Sequence, residues 1–125
     1  MHGCSSSSVS PVPDELYRGN WVLFSSPLTG FQKSNILNIN FKSTGKISGN
    51  GRCNSFGGDF TANGNRINMS ITTMTEVHCG DEQAAEDAFF RMLEDAEYYS
   101  IAGECLIFSD SQQEELAIFK SDEIN

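Results

Sequence analysis

Apolar side chains recur at every second position in several short stretches of this chain, which is the period of a half-buried β-strand. Residues 36–41 alternate so that Leu37, Ile39 and Phe41 share one face, and residues 67–71 repeat the alternation. Further short apolar runs predict strands over 21–24, 46–49, 53–60, 98–101, 105–108 and 116–119. The pattern therefore predicts five strands in the first part of the chain and three at its end.

Turns that contain glycine separate the predicted strands. Asn50-Gly51 and Asn63-Gly64 favour tight hairpins, because both residue types accept a positive φ. Gly57 and Gly58 fall inside a predicted strand, where glycines indicate a β-bulge or the close approach of another backbone segment. These short connections predict a meander of antiparallel strands.

One amphipathic helix is predicted from Asp81, a suitable N-cap, to about Ala96. Its apolar positions recur at helical spacing and are Ala85, Ala88, Phe89, Met92, Leu93 and Ala96. The charged residues are expected mostly on the opposite, solvent-facing arc: Glu82, Glu86, Asp87, Arg91, Glu94 and Asp95. Five strands, one helix and three strands predict an α+β fold, either a strongly curved antiparallel sheet or a small open β-barrel of about eight strands with the helix packed on it.

The charge of the chain argues against two classes of partner. Its 125 residues include 8 Lys and Arg against 17 Asp and Glu, a formal net charge of -9. The sequence has no basic run, so nucleic acid is not an expected partner. The same sign disfavours a polybasic contact with anionic lipids, and any membrane attachment is therefore expected to be covalent.

The first residues resemble the start of a mature bacterial lipoprotein. Gly3 precedes Cys4, as a small residue precedes the cysteine that is acylated after signal-peptide cleavage, and a run of serines follows. We therefore expect a lipid anchor on Cys4, a Ser/Pro-rich tether over residues 1–15, a folded domain over 16–120 and a C-terminal tail over 121–125. The anchor would place the domain in the cell envelope, facing the periplasm or the outer-membrane surface. The alternative is an ordinary terminus in which Cys4 is an incidental thiol.

Three motifs within the predicted domain resemble the META domain of the HslJ family. They are Trp21 opening a strand, Gly-Asn-Gly-Arg-Cys-Asn-Ser-Phe-Gly-Gly at 49–58, and Thr-Glu-Val-His-Cys at 75–79 before an acidic helix. The likeness continues through the last strands and covers nearly all of residues 16–120. It implies a small α+β fold, frequent export as an envelope lipoprotein, and no established catalytic activity or cofactor.

The resemblance also bears on the remaining cysteines. Cys53 and Cys79 both belong to its motifs, which implies a disulfide between them in the oxidising envelope. If Cys4 carries lipid, the number of remaining cysteines is odd, so that one thiol is left unpaired or pairs between molecules. The residues alone leave the other pairings with Cys105 open, as well as buried, reduced cysteines that act as small hydrophobic side chains.

No residues in the sequence have the spacing of a catalytic or metal site. A thiol-dependent enzyme needs an imidazole positioned beside a thiolate. His78 is the neighbour of Cys79, and neighbours in an extended segment point apart. The cysteines lack the paired spacing of zinc sites, and the glycine-rich stretch lacks the Lys and Ser/Thr of a phosphate loop. We expect no catalytic residue, metal or cofactor.

The candidate structural or binding site is the glycine-rich motif. Asn54 is expected to hydrogen-bond the backbone of a neighbouring loop or, alternatively, a ligand. Phe56 is expected to fill the core, and backbone geometry accounts for Gly57 and Gly58. The predicted function is a monomeric, non-enzymatic envelope module that binds another envelope protein or maintains the envelope. The alternatives are a carrier of a small apolar ligand and, after that, a thiol-dependent enzyme.

Overall fold

The computed structural model describes residues 13–26, 37–51, 53–78, 80 and 83–121. Within them a short 3-10 helix spans Pro13–Arg18, and one α-helix, α1, spans Gln83–Asp95. The strands are β1 (Trp21–Ser25), β2 (Asn38–Lys42), β3 (Lys46–Asn50), β4 (Ser55–Asn63), β5 (Arg66–Met74), β6 (Tyr98–Ala102), β7 (Cys105–Ser109) and β8 (Glu115–Ser121). The predicted order of five strands, one helix and three strands is confirmed, while the 3-10 helix was not predicted.

The sheet closes on itself. Each strand pairs with the next in sequence, including β5 with β6 although α1 lies between them in the chain, and β8 returns to pair with β1. Trp21 lies opposite Ser121 where the first and last strands meet. The ring is weakest between β5 and β6, where Arg66 opposite Tyr98 is the one strand pairing among the described residues. The predicted α+β fold with a curved antiparallel sheet is confirmed, and the ring is closed instead of open.

The adjacent glycines of β4 lie at a bulge. The register between β4 and β5 shifts between Gly57 and Gly58, because β5 has one residue more than β4 at that point. At Gly58 the two backbones are so close that a Cβ atom would overlap the carbonyl oxygen of Ser70. The bulge and the close backbone approach predicted from the two glycines are both present.

Only one of the two predicted tight turns is confirmed. Asn63 pairs with Arg66, and Gly64 between them has a φ of 62°, as a two-residue hairpin requires. The predicted Asn50-Gly51 turn is wrong, because Asn50 pairs with Ser55 and the connection runs from residue 51 to residue 54. The Gly51 amide closes that connection on the Asn54 carbonyl oxygen at 2.8 Å. Contacts with α1, described below, explain the longer loop.

Aromatic side chains fill the interior of the ring. The rings of Phe41 and Phe60 meet edge to face with centroids 5.0 Å apart, and Phe108 meets Phe119 at 5.4 Å. Trp21 is fully buried, and its indole N–H donates to the Leu16 carbonyl oxygen of the 3-10 helix at 3.0 Å. That bond holds the 3-10 helix to the first strand.

Helix α1 packs its apolar side on the core. Phe89, Phe90, Met92 and Leu93 are buried, and the Phe90 ring centroid lies 5.3 Å from that of Phe56 in β4. The amphipathic character of the helix is therefore confirmed. Its charged arc contains one error: Glu86, predicted to face solvent, is 0% exposed. The predicted N-cap, Asp81, lies outside the described residues.

Candidate functional site

Asn54 connects three segments of the chain through its side chain. Its Nδ2 donates to Glu86 Oε1 in α1 at 2.7 Å and to the Val77 carbonyl oxygen at 3.0 Å. Its Oδ1 accepts from the Thr75 hydroxyl and from the Val77 amide, each at 2.7 Å. Two donors and two acceptor positions are all that an asparagine side chain offers, so each one is used within the protein.

Glu86 lies in the first turn of α1 and receives the amides of the β3–β4 connection. Its Oε2 accepts the backbone N–H of Cys53 at 2.8 Å and that of Asn54 at 2.7 Å. Besides the bond from Asn54, Oε1 also accepts from Gln83 Nε2 at 3.3 Å. A buried carboxylate is tolerated when donors surround it, and four donors meet this one. We call Asn54, Thr75, Val77, Gln83 and Glu86 the Asn54 cluster.

These donors also set the charge state of Glu86. Burial raises the pKa of its carboxyl by penalising the charged form, but the bonds from the Asn54 side chain, the Cys53 and Asn54 amides and Gln83 together outweigh that effect. The pKa lies below its ordinary value. Glu86 is therefore a buried carboxylate at neutral pH, held by hydrogen bonds without an opposite charge in the cluster.

Gly51 lets the loop come close to the helix. A Cβ atom at this position would lie 2.8 Å from Glu86 Oε2 and 2.9 Å from Phe90 Cζ. Such contacts would displace either the carboxylate or the ring. The glycine is therefore needed here for space, whereas the sequence suggested a hairpin φ.

The Asn54 cluster joins segments of the fold, and the side-chain polar atoms of Asn54 and Glu86 are engaged within the chain. Asn54 is 3% exposed and Glu86 is fully buried, and their polar atoms are bonded within the chain. The cluster fixes the β3–β4 connection and the segment after β5 against the start of α1. These bonds give the cluster a structural role.

The other residues predicted in the motif are near the cluster but serve packing. Phe56 of β4 is buried against α1, and Gly57 and Gly58 lie opposite the bulge of β5. Sequence reasoning missed Glu86. The signal was its spacing, because Glu86, Phe90 and Leu93 follow an i, i+4, i+7 pattern that places all three on one helix face.

The structure describes two of the four cysteines on which the predictions were made. Cys4 and Cys79 lie outside the described residues, so the acylation of Cys4 and the bond between Cys53 and Cys79 stay predictions. Neither Cys53 nor Cys105 is a free thiol. Cys105 is buried at the start of β7, while Cys53 is half-buried beside the Asn54 cluster.

One buried hydroxyl group inside the ring forms no hydrogen bond. The hydroxyl of Tyr99, in β6, has no hydrogen-bond partner, although the residue is only 2% exposed. Burial raises the pKa of Tyr99, and its neighbours Tyr17 and Glu15 raise it further. The side chain therefore contributes apolar bulk together with an unsatisfied hydroxyl.

The acidic, histidine and cysteine side chains in the described part of the chain do not gather at one point. There, no group of three or more His, Cys, Asp or Glu side chains is arranged to hold a metal ion. His78 is exposed in the segment between β5 and α1. None of the helices described has the length and apolar character needed to span a bilayer.

Comparison with known proteins gives a family and a fold. The family model described as the META domain matches residues 14–123. A crystal structure of a DUF4847 family protein from Bacteroides vulgatus has a TM-score of 0.72 at 14% identity, covering 92% of this chain and 100% of that one. An NMR structure of a protein from Burkholderia xenovorans has a TM-score of 0.61 at 17% identity, covering 98% and 99%. No curated protein matches the chain.

Proposed function

The chain belongs to the META domain family, and from that premise we propose that it is a non-enzymatic binding module of the bacterial cell envelope, anchored by a lipid on Cys4. Its task is to hold another envelope protein or to maintain the envelope through such contacts. The membrane contact is made by the lipid alone, since a net charge of -9 repels anionic headgroups.

The observation that carries this proposal is that the polar cluster and the interior are already occupied by the chain itself. The side-chain polar atoms of Asn54 and Glu86 are bonded within the fold. Large aromatic side chains pack against one another inside the ring. Recognition by the described part of the molecule therefore takes place on its outer surface, which suits a protein partner better than a small molecule.

The same observations weigh against the two alternatives. A carrier of an apolar ligand requires an incompletely filled core. In this core the Phe89 ring packs against the rings of both Phe56 and Phe119. A thiol-dependent enzyme requires a thiolate, and neither described cysteine is a free thiol. These observations therefore favour the proposal of a binding module over both alternatives.

The cysteines connect the proposed anchor to the proposed disulfide. We propose a bond between Cys53 and Cys79, while Cys4 carries the lipid. A sulfur in a disulfide cannot also carry a thioether-linked lipid. The chemical state of Cys4 therefore decides between the proposed anchor and a disulfide at that residue.

The test is to express the gene with its own upstream sequence in a bacterial host and to fractionate the cells. Intact mass and non-reducing peptide maps then give the state of each cysteine. We expect the protein in the membrane fraction with an acylated N-terminal peptide containing Cys4. In-cell crosslinking followed by mass spectrometry should capture an envelope protein. A soluble protein with Cys4 linked to Cys105 would overturn the anchor, and a chain that crosslinks to nothing would overturn the binding function.

A further inference from the structure

Two Asn-Gly pairs in the chain share one chemical property and differ in their surroundings. They are Asn50-Gly51 and Asn63-Gly64. In such a pair the glycine nitrogen can attack the side-chain carbonyl carbon of the asparagine, because glycine has no Cβ to hinder the approach and leaves the backbone free to rotate. Each pair is therefore chemically capable of deamidation, and the fold decides which one reacts.

Deamidation needs only water as a co-reactant. The bond from the glycine nitrogen to the asparagine Cγ forms as the bond from Cγ to the side-chain nitrogen breaks, and ammonia leaves with the proton that the glycine amide has lost. The product is a five-membered succinimide ring. Water then opens the ring at either carbonyl carbon and gives aspartate or isoaspartate, in which the backbone runs through the former side chain. Both products carry a carboxylate in place of a neutral amide.

The fold blocks this reaction at Asn50. The Gly51 amide donates to the Asn54 carbonyl oxygen at 2.8 Å, so that its proton is engaged. Gly51 is also buried, and a Cβ atom placed on it would lie 2.8 Å from Glu86 Oε2 and 2.9 Å from Phe90 Cζ. The rotation that brings this nitrogen to the Asn50 side chain would break the hydrogen bond and move the loop away from α1.

The Asn63-Gly64 pair lacks both restraints. Asn63 and Gly64 are exposed, and beyond its chain neighbours no atom lies within 4 Å of a Cβ placed on Gly64. The hairpin closes through Asn63 and Arg66. Among the backbone hydrogen bonds of the described chain, none uses the Gly64 amide. The nitrogen that must attack is therefore open to water and to base.

The end of this hairpin is also free to fray. Strand β4 pairs with β3 as far as Asp59, and the Phe60 amide donates to the Gly45 carbonyl oxygen just outside β3. Over residues 61–63, β5 is therefore the only strand that pairs with β4 in the described chain. Asn63 and Arg66 are both exposed, so opening their pair moves no core side chain. Asn63 thus reaches the reactive conformation by local unfolding of the hairpin end.

We propose that Asn63 is the site at which this protein deamidates, and that the isoaspartate formed there loosens the contact between β5 and β6. Isoaspartate adds one carbon to the backbone of β4 opposite Arg66. Among the described residues, Arg66 opposite Tyr98 is the one strand pairing of β5 with β6. Arg66 Nη2 lies 3.6 Å from Glu97 Oε1, and its Cζ lies 4.7 Å from the Tyr98 ring centroid. A carboxylate at residue 63, the cross-strand neighbour of Arg66, competes with Glu97 for that guanidinium.

The test compares native and unfolded protein in one mildly alkaline buffer, which favours loss of the glycine amide proton. Native protein and protein in guanidinium chloride are incubated side by side, and peptide maps taken over time give the aspartate and isoaspartate content at each asparagine. In guanidinium chloride we expect Asn50 and Asn63 to convert at similar rates. In the native protein Asn63 should convert at least about tenfold faster, because reaction at Asn50 must first break a hydrogen bond and disturb packing on α1. A native ratio no larger than the ratio in guanidinium chloride, or an Asn63 that stays intact in the native protein, overturns the proposal.

Matched variants assign the change in charge to one residue. Ion-exchange chromatography of the native protein separates the more acidic, deamidated species. Asn63→Gln keeps a side-chain amide but must form a six-membered ring, which is slower, so we expect the acidic species to appear at least about tenfold more slowly. Asn50→Gln makes the same change at the protected pair and should leave their rate of appearance unaltered. The amide spectrum of each variant verifies its fold, and a loss of the acidic species in Asn50→Gln alone would contradict the assignment.

The effect on the contact between β5 and β6 is tested on the separated isoaspartate form. The amides of Ile67 and Tyr99 bridge the two strands, donating to Glu97 and Asn65. In native-state hydrogen exchange we expect both amides to exchange at least about tenfold faster than in the unmodified protein. Asn63→Asp, which has the new charge but the normal backbone length, should stay within about threefold of the unmodified protein. Unchanged exchange in the isoaspartate form overturns the loosening, and equal acceleration in Asn63→Asp overturns the role of the longer backbone.

Discussion

Glu86 shows that a charge can be buried when backbone amides replace the water it loses. Its carboxylate is fully buried, yet it accepts hydrogen bonds from two amides and two side-chain amides. Bonds to a charged acceptor are stronger than neutral ones, which is why four donors are enough here. The helix thereby holds a loop that has no regular structure of its own.

Replacing Glu86 is therefore expected to destabilise the protein. Glu86→Gln keeps the volume but turns an NH2 group towards donors, so that buried amides lose their acceptor. We expect a loss of about 2 to 3 kcal/mol in the free energy of unfolding, measured by urea denaturation. Asp87→Asn, the same change on the exposed side of α1, should alter it by less than about 0.5 kcal/mol. Equal effects of the two variants would contradict the role of the cluster.

Acid should weaken the folded state through the same residue. Because the pKa of Glu86 in the folded state lies below its ordinary value of 4.5, its contribution to stability is complete above that value. The contribution is lost as the pH falls through the lower, folded-state pKa. Urea denaturation from neutral pH down to about pH 3 should show a steeper decline for the native protein than for Glu86→Gln. Parallel curves would show that Glu86 does not titrate differently in the two states.

Tyr99 gives the opposite expectation, since its hydroxyl is buried without a hydrogen-bond partner. Tyr99→Phe should raise the free energy of unfolding by about 1 kcal/mol, because an unsatisfied polar atom is removed and the ring is kept. The raised pKa of Tyr99 means that the native protein loses stability above about pH 10, and the variant should lose less. Tyr98→Phe is the control on the same strand. A destabilised Tyr99→Phe would indicate a partner for the hydroxyl.

At the scale of elements, the two glycines of β4 should differ sharply in what they tolerate. Gly58→Ala forces a Cβ atom into the Ser70 backbone and should cost about 3 kcal/mol by separating β4 from β5. At Gly57 the nearest atom is the Thr73 side-chain oxygen at 3.0 Å, which can rotate away. Gly57→Ala should therefore change stability by less than about 1 kcal/mol. Thermal unfolding of both variants tests this, and equal shifts would argue against the close approach.

The elements could be predicted because their signals are local. Alternation places Leu37, Ile39 and Phe41 in the core whatever the rest of the chain does. Helical spacing likewise identifies Phe89 and Leu93 as buried, and both are. These patterns need no knowledge of which segments meet, and they yielded the eight strands and the helix.

The candidate site could be predicted only in part because its contacts are long-range. Asn54 was identified as a hydrogen-bonding residue beside a turn, but its partner Glu86 is 32 residues away. Composition alone makes an acidic residue among other acidic residues look solvent-exposed. The Asn50-Gly51 turn failed for the same reason, since contacts with Glu86 and Phe90 decide the shape of that loop.

For the whole molecule, the seam between β5 and β6 is expected to open first. Two amides bridge it, from Ile67 to Glu97 and from Tyr99 to Asn65, whereas β7 and β8 pair at five positions. Native-state hydrogen exchange should be at least about tenfold faster at Ile67 and Tyr99 than in the β7–β8 ladder. Uniform protection around the ring would show that α1 seals the seam as firmly as a strand does.

Because β8 closes on β1, one side of the ring is near the N-terminal residues and the opposite side is far from them. In a ring of eight strands β5 is four strands from β1 in either direction, so it lies across from the strand that follows the N-terminal residues. Because neighbouring strands are antiparallel, β5 runs in the same direction as β1, and Met74 is at the end of the ring opposite Trp21. A domain anchored, as proposed, through residues ahead of Trp21 would thus place the Met74 end of β5 at its greatest reach, about 30 Å along the strand. Under that proposal the attachment and the Met74 end of the ring do not compete for space.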